Sequence, residues 1–264
     1  MRVLLWGITA AVLLCASPVV AQSQKPSIEE LAKADENPIT RFYVLRFEDN
    51  VQLGFGPEKQ ALNFFRIQPL VPLRLSEDWR LLTRVIVPIA HQPWPESADG
   101  LSDLSLIAFV TPAKKKAFSW GVGPAFLFPT ATDDTLGTEK WSVGPAVAAV
   151  YSSGPWLVGA VVQNLWSFAG DGDREDVNLM TLRPLVNYNL ANGWYLTSSP
   201  SIGANWKADA ENRWLVPLGG GAGKVYQIGG FRMSSTLEFY YHVKAPAIGP
   251  DWQVRVQHSF LYPN

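Results

Sequence analysis

The chain has 264 residues and a formal net charge of −1, from 22 basic and 23 acidic side chains. That balance gives no electrostatic footing for nucleic acid, so no nucleic-acid partner is expected. The one cysteine, Cys15, excludes a disulfide framework. By contrast, 11 tryptophans and 12% aromatic residues are heavy for a soluble domain and suit interfacial girdles.

The first 21 residues read as an export address. Arg2 is a minimal basic region, Val3 to Leu14 is apolar apart from Gly7 and Thr9, and Val19-Val20-Ala21 is a small-residue cleavage site. This pattern predicts a secretory signal peptide over 1–21, set aside from the fold. A retained anchor is the alternative, but no basic stop-transfer cluster follows. Cys15 suggests a lipoprotein signal, yet Leu14 before it is larger than that peptidase's usual small residue. Cleavage after Ala21 also removes the only thiol, leaving a mature chain of residues 22–264. Residues 22–38 then form a periplasmic N-terminal segment. Ser27 and Glu30 fit a capping box, with Ile28 and Leu31 apolar, which predicts a short helix before the first strand. That helix plugs the barrel from the periplasm, lies beneath it, or frays as a terminus.

From residue 39 to 264 the chain alternates bulky apolar with small or polar residues. The predicted strands are 40–55, 61–75, 79–90, 102–112, 117–129, 141–152, 155–168, 177–189, 193–206, 213–227, 230–243 and 251–262. Strand 230–243 shows the pattern best. Phe231, Met233, Leu237, Phe239, Tyr241 and Val243 face one way, while Arg232, Ser234, Thr236, Glu238, Tyr240 and His242 face the other. In 251–262, Trp252, Val254, Val256, Phe260 and Tyr262 oppose Gln253, Arg255, Gln257 and Ser259. The segments often open on tryptophan, as at Trp79, Trp120, Trp141, Trp156, Trp194, Trp214 and Trp252. The connections alternate in length. Ser76-Glu77-Asp78, Lys114-Lys115-Lys116, Ser152 to Pro155, Asn189 to Asn192 and Gly229-Gly230 are tight, whereas 91–101, 130–140, 169–176, 207–212 and 244–250 are longer.

The fold class is therefore all-β: a transmembrane antiparallel up-and-down β-barrel of about 12 strands, with short periplasmic turns and longer extracellular loops. A helical rival exists at Trp141 to Asn164, which is uncharged and long enough to span. Ser152-Ser153-Gly154-Pro155 in its middle and Pro145 near its start favour a hairpin instead. Prolines are the main objection to the strands. Pro69, Pro72, Pro88, Pro124, Pro145, Pro184, Pro200 and Pro217 fall inside them, and each removes a ladder donor. Some are expected at bulges or strand ends. The C-terminal Phe260 and Tyr262 give the aromatic ending read by barrel assembly machinery, though Pro263-Asn264 follow.

Several motifs carry a resemblance. They include Trp120-Gly-Val-Gly-Pro124, Phe128-Pro-Thr-Ala-Thr-Asp133, Leu136-Gly-Thr-Glu-Lys-Trp-Ser-Val-Gly-Pro145 and Asn164-Leu-Trp-Ser-Phe-Ala-Gly-Asp171. Further ones are Gly193-Trp-Tyr-Leu-Thr-Ser-Ser-Pro200, Ala204-Asn-Trp-Lys-Ala-Asp209, Trp214-Leu-Val-Pro-Leu-Gly-Gly-Gly221 and Pro250-Asp-Trp252. Through them the chain resembles the bacterial outer-membrane family of putative transporters of the MetA pathway of phenol degradation, some of whose members are labelled neuromedin U. The likeness runs from about Asn37-Pro38 to Pro263. It implies an outer-membrane barrel of a Gram-negative bacterium with a transport role, and it brings no catalytic residues. The family name links hydrophobic aromatic compounds to the barrel only by genetic association.

Strand parity supplies an inventory of the lumen. The pore-lining candidates are Arg66, Gln68, Arg74, Arg80, Arg84, Arg183, Arg232, Glu238, Arg255 and Gln257, with Tyr195, Thr197, Ser199 and Ser201 on the ninth strand. Arginine outnumbers inward acid, which predicts a narrow passage or pocket preferring anionic or aromatic solutes. The plainer reading is that these arginines pair with loop carboxylates and only satisfy a polar interior. Three other patterns are weaker. Gly219-Gly-Gly-Ala-Gly-Lys224 lacks the first glycine and the Ser/Thr of a phosphate loop, and its glycines read as a smooth barrel face. Asp171-Gly-Asp-Arg-Glu-Asp176 and Thr132-Asp-Asp-Thr135 are acidic loops without EF-hand spacing, expected to be solvated or bridged to lipopolysaccharide. His258-Ser259 suggests an outer-membrane lipid hydrolase, but adjacent strand residues face opposite sides. The expectation is a non-enzyme, with no catalytic residues, metal or cofactor. Its partners are outer-membrane lipids, lipopolysaccharide, the assembly machinery and a small solute. A structural or assembly-related barrel with a packed interior is the rival.

Overall fold

Alternating side chains need two different environments, and a closed sheet provides them without leaving any edge unpaired. The computed structural model describes residues 27–114 and 116–263, so the predicted signal peptide lies outside the described residues. The strand segments are β1 (Tyr43–Phe55), β2 (Gln60–Arg74), β3 (Trp79–Gln92), β4 (Ala98–Leu101), β5 (Leu104–Pro112), β6 (Phe118–Phe128) and β7 (Lys140–Ser153). They continue as β8 (Trp156–Gly170), β9 (Asn178–Asn189), β10 (Trp194–Ser198), β11 (Ile202–Asn205), β12 (Trp214–Ile228), β13 (Phe231–Lys244) and β14 (Trp252–Tyr262). β4 and β5 pair successively with β3 and form one stave. β10 and β11 bridge β9 and β12 and form another. The result is a closed antiparallel up-and-down barrel of 12 staves, sealed where β1 pairs β14 from Tyr43↔Tyr262 to Leu53↔Trp252.

The predicted connections hold at both ends, with two refinements. The first hairpin turns tightly at 56–59 although it sits at the long-loop end, where Gly56 N donates to Ile248 O. The fourth stave starts at Ala98, earlier than expected, because Ser102 N donates to Pro88 O and carries the chain across the break between β4 and β5.

The prolines sit where pairing lapses. β2–β3 pairing skips from Ile67↔Val87 to Leu70↔Arg84 around Pro69. Pro72 lies beyond Leu70, the last β2 residue paired with β1. Pro88 faces the break between β4 and β5. Pro124 and Pro145 interrupt the β5–β6 and β7–β8 ladders. Pro184 faces the break between β10 and β11 that contains Pro200, and Pro217 lies at a bulge against β13. The missing N–H groups thus fall where no ladder donor is needed.

The outer wall is greasy. Its tryptophans form two rings: Trp79, Trp120, Trp156 and Trp194 at the tight-turn end, and Trp141, Trp166, Trp214 and Trp252 at the long-loop end. Edge contacts join neighbours, such as Trp79–Trp120 at 6.0 Å and Trp156–Tyr188 at 4.6 Å between centroids. Such a band between aromatic girdles matches a bilayer's apolar slab.

The inner wall departs from the expected polar lining. Its turn-end half is mixed, with Thr111, Asn187, Ser234 and Thr236 buried beside apolar residues. In the turn-end half, Leu70, Leu82, Phe109, Ala148, Val150, Leu157 and Leu261 point inward and are buried. They pack around a helix that enters the bore, α1 (Ile28–Glu36). Its capping box is formed on both sides, Glu30 N donating to Ser27 Oγ and Ser27 N to Glu30 Oε2. Leu31, Ala32 and Ala34 bury against the wall of β9, β12, β13 and β14. Lys33 donates to the Gly154 carbonyl in the tight turn after β7. Beyond Asn37 the chain doubles back along the opposite wall. Ile39 approaches Phe109 and Gly121, and Arg41 Nη2 donates to Ala113 O at 2.5 Å. Of this segment, residues 27–38 are described, and they lie within the bore.

The glycines of β12 also have a steric reason. The Tyr195 ring lies across Gly223 and reaches over β12 to Ser234 Oγ (2.7 Å) and Thr236 Oγ1 (2.6 Å) on β13. A Cβ on Gly223 would stand 2.3 Å from that ring. Gly223→Ala is therefore expected to destabilise the barrel by about 1–3 kcal/mol through overpacking, read as a lower urea midpoint in lipid vesicles. A Tyr195→Phe/Gly223→Ala double substitution should not restore it, since the clash includes ring carbons.

Candidate functional site

The polar waist of the barrel begins where α1 ends. Asp35 and Glu36 are buried there, and β1 brings Arg46 and Glu48 to face them. Arg46 Nη2 lies 3.1 Å from Asp35 Oδ1 and also donates to the Asp35 carbonyl. Its Nε reaches Ser259 Oγ at 3.4 Å. Gln257 Nε2 donates to Glu36 Oε1 at 3.2 Å. The helix is thus held at its inner end by one ion pair and one amide.

Two further ion pairs cross the waist. Arg66 Nη1 lies 2.6 Å from Glu48 Oε1, and Gln68 Nε2 donates to Glu48 Oε2 at 3.3 Å. Arg84 Nε donates to Gln68 Oε1 at 3.1 Å, so a chain of polar groups runs from β1 to β3. On the other side Arg255 Nη2 lies 2.6 Å from Glu238 Oε2. Arg255 also donates to Ser199 O (2.9 Å), Ser199 Oγ (2.8 Å) and Tyr240 Oη (2.8 Å). Tyr240 Oη donates to Glu238 Oε1 and accepts from Ser199 N. Backbone groups released by the break at 199–201 are thereby satisfied by side chains, as buried amides require. Arg183 Nη2 donates to Ser199 Oγ at 3.3 Å.

Of the ten candidates, Arg66, Gln68, Arg84, Arg183, Glu238, Arg255 and Gln257 meet at this waist. Arg74, Arg80 and Arg232 do not. Arg74 Nε donates to Ser76 O in an exposed turn, and Arg80 Nη2 joins Arg41 at Ala113 O. Arg232 pairs across to Gln227 near the Gly229-Gly230 turn. These three belong to the turn-end rim because their parity is inward but their height is wrong. The partners of the waist arginines are also not loop carboxylates; they are Asp35 on α1, Glu48 on β1 and Glu238 on β13. Arg46, Glu48, Asp35 and Glu36 were missed. The signal for the first two was present, because Arg46, Glu48 and Asn50 alternate with Leu45, Phe47 and Asp49 on β1.

Above the waist a chamber of about 360 Å³ opens toward the long loops. Below it, at the turn end, lies a separate cavity of about 450 Å³ lined by Lys33, Ile39, Arg41 and Arg80. Between them lies a cleft of about 20 Å³ beside Asp35, Glu36, Arg84 and Arg183. α1 and its return limb therefore divide the bore.

Burial and the neighbouring Asp35 charge push Glu36 up from 4.5 to about 7, against the pull of Arg46 and Arg183. Docked, α1 favours protonated Glu36. The docking stability this supplies is complete below pH 4.5 and is lost as pH rises through about 7.

The weaker patterns resolve geometrically. Gly219 to Lys224 runs within β12, so it is strand and not a phosphate loop. The two acidic loops are tied by cations: Arg174 Nε lies 3.3 Å from Glu139, and Arg174 Nη2 donates to the carbonyls of Asp134 and Gly137. Ser259 points inward to Arg46, while His258 points outward and bonds Ser235 at 2.9 Å.

No protein-family model matches the chain, and no curated protein matches it either. Solved structures do. An outer membrane channel from Pseudomonas putida F1 superposes with a TM-score of 0.66 at 15% identity, covering 86% of this chain and 98% of that one. A Pseudomonas aeruginosa FadL homologue gives 0.45 at 10% identity, over 87% and 93% of the two chains. A Salmonella typhi outer membrane phospholipase gives 0.41 at 14%, over 88% and 96%. The first of these likenesses places the fold among outer-membrane barrels.

Proposed function

We propose that this protein is an outer-membrane channel of a Gram-negative bacterium, closed by residues 27–42 and opened when they leave the bore. The supporting observation is the division of the bore: two sizeable cavities, one at each end, separated by residues 27–42, which are tethered through a few side chains, together with the waist side chains they meet. Motif likeness to the MetA-pathway transporters supports the same class. On this reading the tight turns face the periplasm and the long loops face outward, among lipopolysaccharide and lipid. The assembly machinery delivers the barrel by its C-terminal strand. No chemistry is assigned to the wall, so phospholipid vesicles should show no turnover.

The packed lower half equally supports a closed scaffold that transports nothing. The pH dependence of Glu36 separates the two. Reconstituted in planar bilayers, the channel should conduct least near pH 5 and increasingly up to about pH 7, then level off, as docking loses its proton-linked stability. Glu36→Gln should remain closed across that range. Absence of current at every pH, with liposomes impermeable to sized sugars, would establish the scaffold.

A further inference from the structure

Three of the five waist arginines have a carboxylate within ion-pair distance: Arg46 with Asp35, Arg66 with Glu48 and Arg255 with Glu238. Among the described residues, Arg84 and Arg183 donate to neutral acceptors, Gln68 and Ser199. Both line the floor of the upper chamber, and their like charges repel each other. The chamber's remaining acid, Asp103, is already saturated. Its Oδ1 accepts from Thr130 N and Ala131 N, and its Oδ2 from Thr138 N and Thr138 Oγ1. Glu36, in the cleft beneath, is held largely protonated below about pH 7. Glu48 attracts both through space, but its oxygens are taken by Arg66 and Gln68, so among the described residues no carboxylate makes an ion pair with either guanidinium.

Apolar side chains share the lining with them: Val161 stands across the ladder from Arg183, Ile86 is two residues along from Arg84, and Phe64 and Ile107 complete the set. Gln163 Oε1 also faces the chamber, buried and without a protein partner. We propose that the upper chamber is a binding site for a small organic carboxylate, its charged group between Arg84 and Arg183 and its apolar body against Phe64 and Ile107. Guanidinium forks suit carboxylates, and a low-dielectric wall strengthens the attraction. An inorganic anion would leave the apolar side unused, and a neutral solute would leave the charges unmatched. The site deepens the channel reading by naming a solute class, and rests on that reading only for the entry of solute into a route.

The test uses the full mature chain in detergent, with cyclohexanecarboxylate as probe and the neutral cyclohexanecarboxamide as control, followed by calorimetry at pH 6. The carboxylate should bind and the amide should not, a comparison that needs no variant. Arg84→Gln/Arg183→Gln should weaken carboxylate binding by about tenfold or more, as expected for losing charge-assisted hydrogen bonds. Arg183→Lys, which keeps the charge, should lose less. Correct folding of each variant is read from heat-modifiable gel migration. Equal binding of acid and amide, or no binding of either to the wild type, overturns the site. Conductance in chloride is recorded from the same preparations after reconstitution into planar bilayers, from pH 5 to pH 8. Current without carboxylate binding sinks the site and leaves the channel standing; binding without current does the reverse.

Discussion

Deleting residues 27–40 is expected to raise the conductance of the reconstituted barrel several-fold and to abolish its pH dependence. The ring of interstrand hydrogen bonds begins at Tyr43 and does not involve the deleted segment, so closure of the wall survives. What is lost is the filling of the lower bore: Leu31, Ala32, Ala34 and Ile39, all buried there. A subtler pair of substitutions tests the same claim with opposite signs at adjacent positions. Asp35→Ala leaves the Arg46 guanidinium in a buried site without its ion-pair partner, a loss of about 3–5 kcal/mol for a broken buried pair. It should loosen α1 and raise conductance. Glu36→Gln removes the titratable acid while keeping an acceptor for Gln257, so it should tighten α1 at pH 7 and lower conductance. Single-channel recordings read both. If the truncated barrel conducts no better than the intact one, α1 is not the closure.

The sequence made the wall legible because one physical rule governs it everywhere: lipid outside forces period-two alternation. Strands such as 230–243 and 251–262 were placed to within a residue, and the tryptophan positions anticipated both girdles. The interior obeys no single rule. Where α1 fills the bore, leucine, phenylalanine, valine and alanine join the polar inward residues, so parity no longer separates a polar from an apolar face. Position along a strand was equally hidden. Arg74 and Arg84 share the inward parity, yet one lies at the turn end of β2 and the other at the waist, because height depends on stave tilt and stagger. The capping box at Ser27 announced a helix, but nothing local announced that its last turn would meet Arg46 and Gln257. Those contacts are long-range, between residues 11 and 221 positions apart. The prolines became intelligible only once the ladder lapses on each neighbouring stave were known.

Replacing Arg255 should cost more than replacing any other waist arginine. Its guanidinium is 2% exposed and donates to Glu238, Tyr240 and both acceptor atoms of Ser199. Arg255→Met leaves the Glu238 carboxylate, also 2% exposed, buried without its cation. It also strips the stitch across residues 199–201, which no ladder pairing holds. A loss of about 3–5 kcal/mol is expected from the broken pair, read as a lower urea midpoint for folding into vesicles. Arg66→Met is the control. That side chain is 26% exposed, and its partner Glu48 keeps Gln68, so the loss should be smaller. Hydrogen exchange should quicken around Ser199 and Ser201 in Arg255→Met alone. Adding Glu238→Leu removes the stranded charge and should restore much of the lost stability, since the penalty lies in the orphaned partner more than in the vanished bond. The local exchange should nevertheless stay fast, because the Ser199 carbonyl still lacks its donor. If Arg255→Met matches Arg66→Met in stability, the waist holds the broken stave by some other contact, and the arginine there is free to serve the solute instead.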